Sequence, residues 1–599
     1  MLRAAWGEGR HAPLRRLADQ RGLRIVEHGR LAVAADALDH AQADRVCCVF
    51  VGRLVGVEPG GCARHLLDRH ARSGLDALGD LDGAYVAFIS DGASAWVTRD
   101  RLGARTLCYS SRGGEAILGE HEADVLELLA STPPPDRLAL VQWMERGSLP
   151  DGRTLFTGLR RLRAGQLLEL TARGSVEHAY WRPAFHEPSR ASRGELADAL
   201  REATFGAVAR AREGAAAPGI CVSGGLDSAC VAAGLAQAGG APAQALAITF
   251  PAEQGVDETP LIEATARFSG LPLRLVPFAG GEVLPPVQRH IERWLVPPPS
   301  AMMLIWEDLW PLARSLGIDV MLDGQGGDET FGASRYLIGD RLRAGRLPAA
   351  WRLAGSLPGP GAGEGMPWQA RMRVLRRIGV PAALPGRLQA ARRRRLPRER
   401  VVGRLVRTQD VAALVAQDDP WAFKYRHDGP LWWGSLVSMF MDNPDAYDAN
   451  GFFRRVSADT GIERRHPLFH DVGLFERVLA TPPESAFDAA RDRPLLRDAL
   501  AGYVSDEVRN LHVKLVFNSV VLSRMSGDEG RRLAAELARS DAPVREYVDG
   551  SAIGPLFDPE QSHNRDQRVR AIQLFTVAAI NRWLAVLENG PADPTTDGR

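Results

Sequence analysis

Lysine is almost missing from this chain. Of its 74 basic residues only Lys424 and Lys514 are lysines. Arginine offers a planar fork and lysine a compact ammonium on a flexible stem, so a surviving lysine marks a place where arginine will not serve. Long apolar runs are missing too. None reaches the roughly 20 residues that span a bilayer, and residues 1–10 lack the apolar core of a secretion signal. A cytoplasmic protein with no membrane partner is expected. Cysteine is sparse, with six residues and no C-x-x-C pair, which argues against structural zinc. The cysteines lie in apolar stretches, and buried thiols in a reducing compartment are expected. Net charge is +1, so no global field draws nucleic acid. The chain shows no internal repeat.

A chain of 599 residues has room for two or more domains, each with its own core. Residues 1–182 read as β-rich, with strands predicted at 46–51, 84–89, 95–99 and 166–170, punctuated by Asp82-Gly83 and Asp91-Gly92. A Pro-, Arg- and Ser-rich linker follows at 181–193. From 194 to about 588 strands and helices alternate at first. Helices are predicted at 195–212, 260–270 and 306–316, and strands at 220–222, 245–250, 273–277 and 319–322. That alternation implies α/β architecture with a parallel sheet covered on both faces, whose ligands bind at the C-terminal strand ends. Residues 335–410 form an Arg-rich insertion, read as a solvated helical segment or, more sharply, as a docking surface for an acidic peptide. The remainder reads as helical, ending in an amphipathic stretch at 569–587 that packs on a core.

Four motifs carry chemistry. The first, Ser223-Gly224-Gly225-Leu226-Asp227-Ser228, lies between an apolar strand and a small-residue helix. Glycines let the backbone approach an anion, free N–H groups at the helix start hold it, and serine hydroxyls add donors. No Gly-Lys-Ser/Thr follows, so it is not a Walker loop. It resembles the pyrophosphate loop of enzymes that cut ATP between its α- and β-phosphates. The second, Asp323-Gly324-Gln325-Gly326-Gly327-Asp328-Glu329, also follows a strand. Asp227 and Asp328 are candidates to grip magnesium on the triphosphate. The third runs from Gly461 through Glu463, Arg465 and His466 to Asp471, and the fourth from Arg493-Pro494-Leu495-Leu496-Arg497 to Lys514. Alone, Glu463 with Arg465 reads as a surface ion pair of little worth.

In this order the four motifs resemble the synthetase domain of the asparagine synthetase family. Residues 81–88 and 99–109 resemble the class II glutamine amidotransferase domain that precedes it, an Ntn-hydrolase-like αββα sandwich. The resemblance implies ATP and Mg2+ as cofactors. It implies nucleotide contacts from Ser223, Gly224, Gly225, Asp227, Ser228, Gly324 and the backbone about Thr249, with metal ligands Asp227 and Asp328. It also implies catalytic roles for Lys514 at the developing oxyanion, for Glu463 on the amine and for Gln325 in positioning substrate.

Two departures narrow the family. Glutamine-using members carry a nucleophilic cysteine directly after the initiator Met, whereas here Leu2 stands there and the first cysteine is Cys47. Without a thiolate no thioester forms. Gln325 replaces the glutamate of asparagine synthetases, and an amide is no general base. Length, insertion and the Gly-Gly-Asp-Glu ending resemble the lasso peptide cyclases. Those enzymes adenylate an Asp or Glu side chain of a ribosomal core peptide and join it to the peptide's N-terminal amine. A precursor peptide, a leader peptidase and a leader-recognition protein are then the expected partners, with no nucleic acid. The alternatives are a β-lactam synthetase-like or an ammonia-using small-molecule amide synthetase.

Overall fold

A computed structural model describes residues 1–146, 149, 152–251, 256–357, 366–385, 388–389, 405, 407–417, 423–442, 449–511, 520, 524–525, 527–553 and 565–589. The N-terminal part stacks two antiparallel six-stranded sheets, ordered β10-β8-β9-β1-β3-β2 and β12-β11-β7-β6-β5-β4. Strand β1 is Leu2–Trp6, followed by β2 (Arg24–His28), β3 (Leu31–Ala35), β4 (Asp39–Ala43), β5 (Val46–Leu54), β6 (Gly83–Ser90), β7 (Ala95–Arg99), β8 (Cys108–Arg112), β9 (Glu115–Gly119), β10 (Arg160–Arg161), β11 (Gln166–Thr171) and β12 (Gly174–Ala179). Alternate residues of the facing strands fill the gap between the sheets: Leu2, Ala4 and Trp6 of β1 pack with Val33, Val49, Phe88 and Leu168. The four strands predicted here are four of twelve. The others are short, and several, such as β1 and β3, are buried along their whole length, so they show no period-2 alternation to read.

The second part is a five-stranded parallel sheet ordered β15-β14-β13-β16-β17. Its strands are β13 (Pro218–Cys221), β14 (Gln244–Thr249), β15 (Leu273–Pro277), β16 (Val320–Leu322) and β17 (Glu463–Arg465). The chain starts at the central strand, moves outward through β14 and β15, then crosses to β16. The order therefore reverses between β13 and β16, where a crevice opens at the strand ends. Helix Arg193–Arg212 leads into the sheet. It begins in a capping box in which Ser192 and Glu195 each accept the other's backbone N–H. Strand β17 lies in a stretch expected to be helical, and its three residues are all charged or polar. Its pairing with β16 holds it there, not its own propensity.

The two parts share a core. Leu140, Trp143 and Met144 of helix Arg137–Arg146 pack in one cluster with Ile291 and with Phe575, Ala579 and Trp583 of the last helix, Arg565–Asn589. Buried ion pairs also cross between them. Arg454 reaches Glu120 at 3.0 Å and Arg455 reaches Glu122 at 3.7 Å. The Arg-rich insertion contains the helices Leu337–Arg343, Leu347–Gly355 and Trp368–Val374, while Arg392–Arg395 lie outside the described residues.

Three histidines sit along this junction without charge. Burial, with Arg455 assisting, pushes His121 down to about 3 against the pull of Glu120. Burial beside Arg455 lowers His290, and burial beside His466 and Arg99 lowers His470. Each has a folded pKa below its unfolded value, so the unfolded chain takes the proton first. Stability therefore falls as pH drops through about 6.5, at about 1.4 kcal/mol per pH unit for each group. Asp124 opposes this, because burial raises it to about 6 and the folded chain then takes the proton first. Burial also raises Asp82, Asp100, Glu307 and Asp340, which act in the same sense but less strongly than Asp124, so the three histidines prevail above pH 5.5. The midpoint of thermal unfolding is expected to drop by several degrees between pH 7.5 and 5.5, and a flat or rising midpoint would disprove the assignment.

Candidate active site

The loop after β13 is braced by its own serines. The Ser228 hydroxyl donates to the Ser223 carbonyl at 3.0 Å and accepts the Ser223 backbone N–H at 3.1 Å. Ser223 Oγ in turn accepts the Gly225 N–H at 3.3 Å. This fixes the loop against helix Leu226–Gln237, whose N-cap Gly225 supplies no side-chain cap. The start of that helix carries the positive end of its dipole, which favours an anion. Gly224 N–H is held differently, donating to the buried carboxylate of Glu258 at 2.8 Å. A Cβ at Gly224 would lie 2.8 Å from the Glu258 side chain, so only glycine allows this approach.

The turn after β16 packs directly on this loop. A Cβ on Gly324 would lie 2.6 Å from the Ser228 nitrogen, and one on Gly327 would lie 2.3 Å from the Asp227 carboxyl carbon. The motif's glycines are thus spacing devices between two turns 100 residues apart in sequence. Asp323 anchors the turn to β17 and the residue that follows it. Its carboxylate accepts the Gln325 N–H at 3.0 Å, pairs with His466 at 2.7 Å and meets Arg464. Burial works to raise the Asp323 pKa, but His466 and Arg464 outweigh it and hold the carboxyl well below the usual carboxylate range.

Between the turns lies a cleft of about 410 Å³. Ser223, Gly225, Asp227, Ser228, Gly324, Gln325 and Asp328 all line it, so most of the sequence-predicted nucleotide and metal residues converge. Gln325 is exposed to the cleft. Among the described residues the two candidate metal carboxylates both close on the Arg493 guanidinium, which contacts Asp227 and lies 3.0 Å from Asp328. Two hard carboxylates converging on one positive charge suit Mg2+, which keeps its remaining positions for water and phosphate oxygens. Among the described residues no cluster of three or more metal-ligating side chains forms a closed cage.

Three predicted residues, Gly224, Thr249 and Glu463, do not line the cleft. Thr249 ends β14 as a buried side chain and does not line the cleft. Its neighbours Ile248 and Phe250 instead line a small apolar slot with Met302 and Trp306, which the cleft shares. Glu463 does not reach the cleft. It lies at the junction of the two parts, 2.6 Å from Arg465 and 3.9 Å from Arg454, in a niche with Arg53 and Asp82. Burial works to raise its pKa, but these arginines hold it at about 2, which leaves a poor proton acceptor. Lys514 lies outside the described residues. The other lysine, Lys424, is structural: its ammonium donates to the carbonyls of Pro381, Ala382 and Leu384 and to Gln389 Oε1, at 2.7–3.3 Å.

The position after Met1 is inert. Leu2 is fully buried in the sheet core, and the Met1 amine pairs with Asp36 at 2.7 Å. All six cysteines are buried free thiols. Burial raises Cys47 and Cys62 and pushes Cys48 up to about 12, the reverse of an activated nucleophile.

A second cavity, of about 380 Å³, adjoins the cleft across helix Gly327–Phe331 and shares Asp328 and Glu329 with it. Phe331, Tyr336, Trp432, Met439 and Leu495 make it largely apolar.

The asparagine synthase family model matches residues 199–585, and a glutamine amidotransferase domain model matches residues 63–181. No curated protein sequence matches. Among solved structures the chain is similar to glutamine phosphoribosylpyrophosphate amidotransferase from B. subtilis complexed with ADP and GMP. The identity is 11%, covering 54% of this chain and 91% of that one, with a TM-score of 0.23. A structure described as the allosteric regulatory enzyme of purine biosynthesis matches at 12% identity, covering 47% of this chain and 82% of that one, also with a TM-score of 0.23.

Proposed function

The chain belongs to the asparagine synthase family, and from that premise we propose that it is an ATP-dependent ligase that closes a macrolactam on a ribosomally made peptide. The family supports the coarser statement, ATP-dependent amide-bond formation by an asparagine synthetase-like C–N ligase. The observation that carries the finer one is Leu2, buried where glutamine-using members need a nucleophile. Leu2 and the buried thiols offer no activated nucleophile for glutamine among the described residues, which favours an amine carried by the substrate. Gln325 in the cleft, and an apolar cavity beside it that suits peptide side chains better than free aspartate, point the same way.

In this mechanism the Ser223–Ser228 loop, at the positive end of helix Leu226–Gln237, holds the β- and γ-phosphates. Asp227 and Asp328 would hold Mg2+, which offsets the charge of the departing pyrophosphate. An Asp or Glu side-chain oxygen of the peptide attacks the α-phosphorus, and the bond to pyrophosphate breaks. The peptide's N-terminal amine, having lost a proton, attacks the acyl carbon and AMP leaves. Holding both ends of one peptide together supplies up to about 7–11 kcal/mol through effective molarity. The partners in this reading are the core peptide, a leader peptidase and a leader-recognition protein.

The test is direct. The purified protein, given ATP, Mg2+ and synthetic peptide encoded by a neighbouring short reading frame, is expected to release AMP and pyrophosphate and to yield a product lighter by one water. Glutamine is expected to add nothing. Efficient asparagine formation from aspartate and ammonia would overturn the proposal. Activity only with small carboxylate-bearing amines would favour a β-lactam synthetase-like reaction.

A further inference from the structure

Arg493 is the least expected part of the site. Its φ is +51° and its ψ +53°, the left-handed region that few non-glycine residues adopt. It also precedes Pro494, and a residue before proline is pushed toward extended backbone. Among the described residues only Asp44, Leu295 and Arg493 are non-glycines with positive φ, and of these only Arg493 lines the cleft. A strained backbone at a functional cleft points to an enforced side-chain position. Here that position is the gap between the two glycine turns. The guanidinium is buried, contacts Asp227, and lies 3.0 Å from Asp328 and 2.8 Å from Asp492. Arg497 behind it is tied to the carbonyls of Asp492 and Arg509.

We propose that Arg493 is the resident counter-cation of the metal site: without nucleotide its guanidinium stands between Asp227 and Asp328 where Mg2+ belongs, so the metal enters only with ATP. The proposal rests on the reading of these aspartates as metal ligands. The exchange balances in charge. A metal arriving with a polyphosphate replaces one positive charge with two, and the displaced guanidinium gains phosphate oxygens, which it binds in bidentate fashion. Metal loading is thereby tied to nucleotide loading. A free divalent ion meets an occupied site, whereas ATP brings both the ion and a new partner for the arginine.

The experiment uses the full-length protein and Mn2+ as a paramagnetic probe, with free Mn2+ read by electron paramagnetic resonance. Without nucleotide, the wild type is expected to bind Mn2+ at least tenfold more weakly than Arg493→Met. Arg493→Lys, which keeps a cation in place, is expected to behave as the wild type and serves as the control if the methionine variant unfolds. Equal Mn2+ affinity in the wild type and Arg493→Met would overturn the proposal, as would tight Mn2+ binding to wild type and Arg493→Lys alike. The ligand reading is tested separately with α,β-methylene-ATP present. If Asp227→Asn then binds Mn2+ as tightly as the wild type, the aspartate is not a metal ligand, whatever Arg493 does.

Discussion

Asp227→Asn is expected to lower AMP formation by about a thousandfold at saturating ATP. In the proposed mechanism the carboxylate would serve two partners, the metal and Arg493. It supplies one of the two acidic groups that converge in the cleft, and a metal held there stabilises transition-state charge by several kcal/mol. Each 1.4 kcal/mol of lost stabilisation is a factor of ten. It also faces the buried Arg493 guanidinium. Burial works against the charge on that arginine, but Asp227, Asp328 and Asp492 outweigh it and hold it firmly protonated. Removing one partner of a buried pair costs about 3–5 kcal/mol when the other is left alone. Here Asp328 and Asp492 remain, so the loss for Asp227→Ala belongs at the lower end. The asparagine variant, which keeps volume and a hydrogen-bond acceptor, separates chemistry from folding. Melting curves and initial rates of pyrophosphate release measure both, and a variant retaining a tenth of wild-type rate would sink the assignment.

Lys514→Ala is expected to cost about 3–4 kcal/mol of barrier, a loss of a few hundredfold in kcat, with ATP binding largely kept. That is the usual price of removing one donor to a developing oxyanion. The other lysine makes the prediction discriminating. Lys424 spends its ammonium on three backbone carbonyls and a glutamine side chain, an arrangement of converging acceptors that a planar guanidinium does not match. Lys424→Ala should therefore lower the melting temperature and leave the kcat of the folded enzyme near wild type. The two variants are expected to trade places between a thermal melt and a turnover assay. If Lys514→Ala keeps full turnover, the oxyanion role is wrong.

Both glycine turns were legible in the sequence because a turn that cradles an anion writes its constraint into consecutive residues. Gly324 and Gly327 are dictated by the approach of Asp227, and the pattern survives in one dimension. The groups that hold the turns are not so written. Glu258 reaches Gly224 from 34 residues away, and Asp323 meets Arg464 and His466 from beyond 140. Such contacts depend on strand order, which no local period reveals. Glu463 shows the opposite failure. Its motif is recognisable, but β17 presents it to the other domain layer, among arginines that occupy its charge. Arg493 was visible only as part of a motif, because a residue before proline gives no sign in sequence of left-handed backbone.

The packing of helix Arg137–Arg146 against helix Arg565–Asn589 sets the order in which the protein matures on the ribosome. Arg137 donates to the Glu546 carbonyl across 409 residues of chain. Contacts of such separation form late and expose apolar surface until they do. While the first two sheets are already made, Leu140, Trp143 and Met144 wait for Phe575 and Trp583, more than 430 residues further along the chain. A ribosome that stops before Phe575 would leave helix Arg137–Arg146 with its apolar face uncovered, and a chaperone or a protease would meet it there.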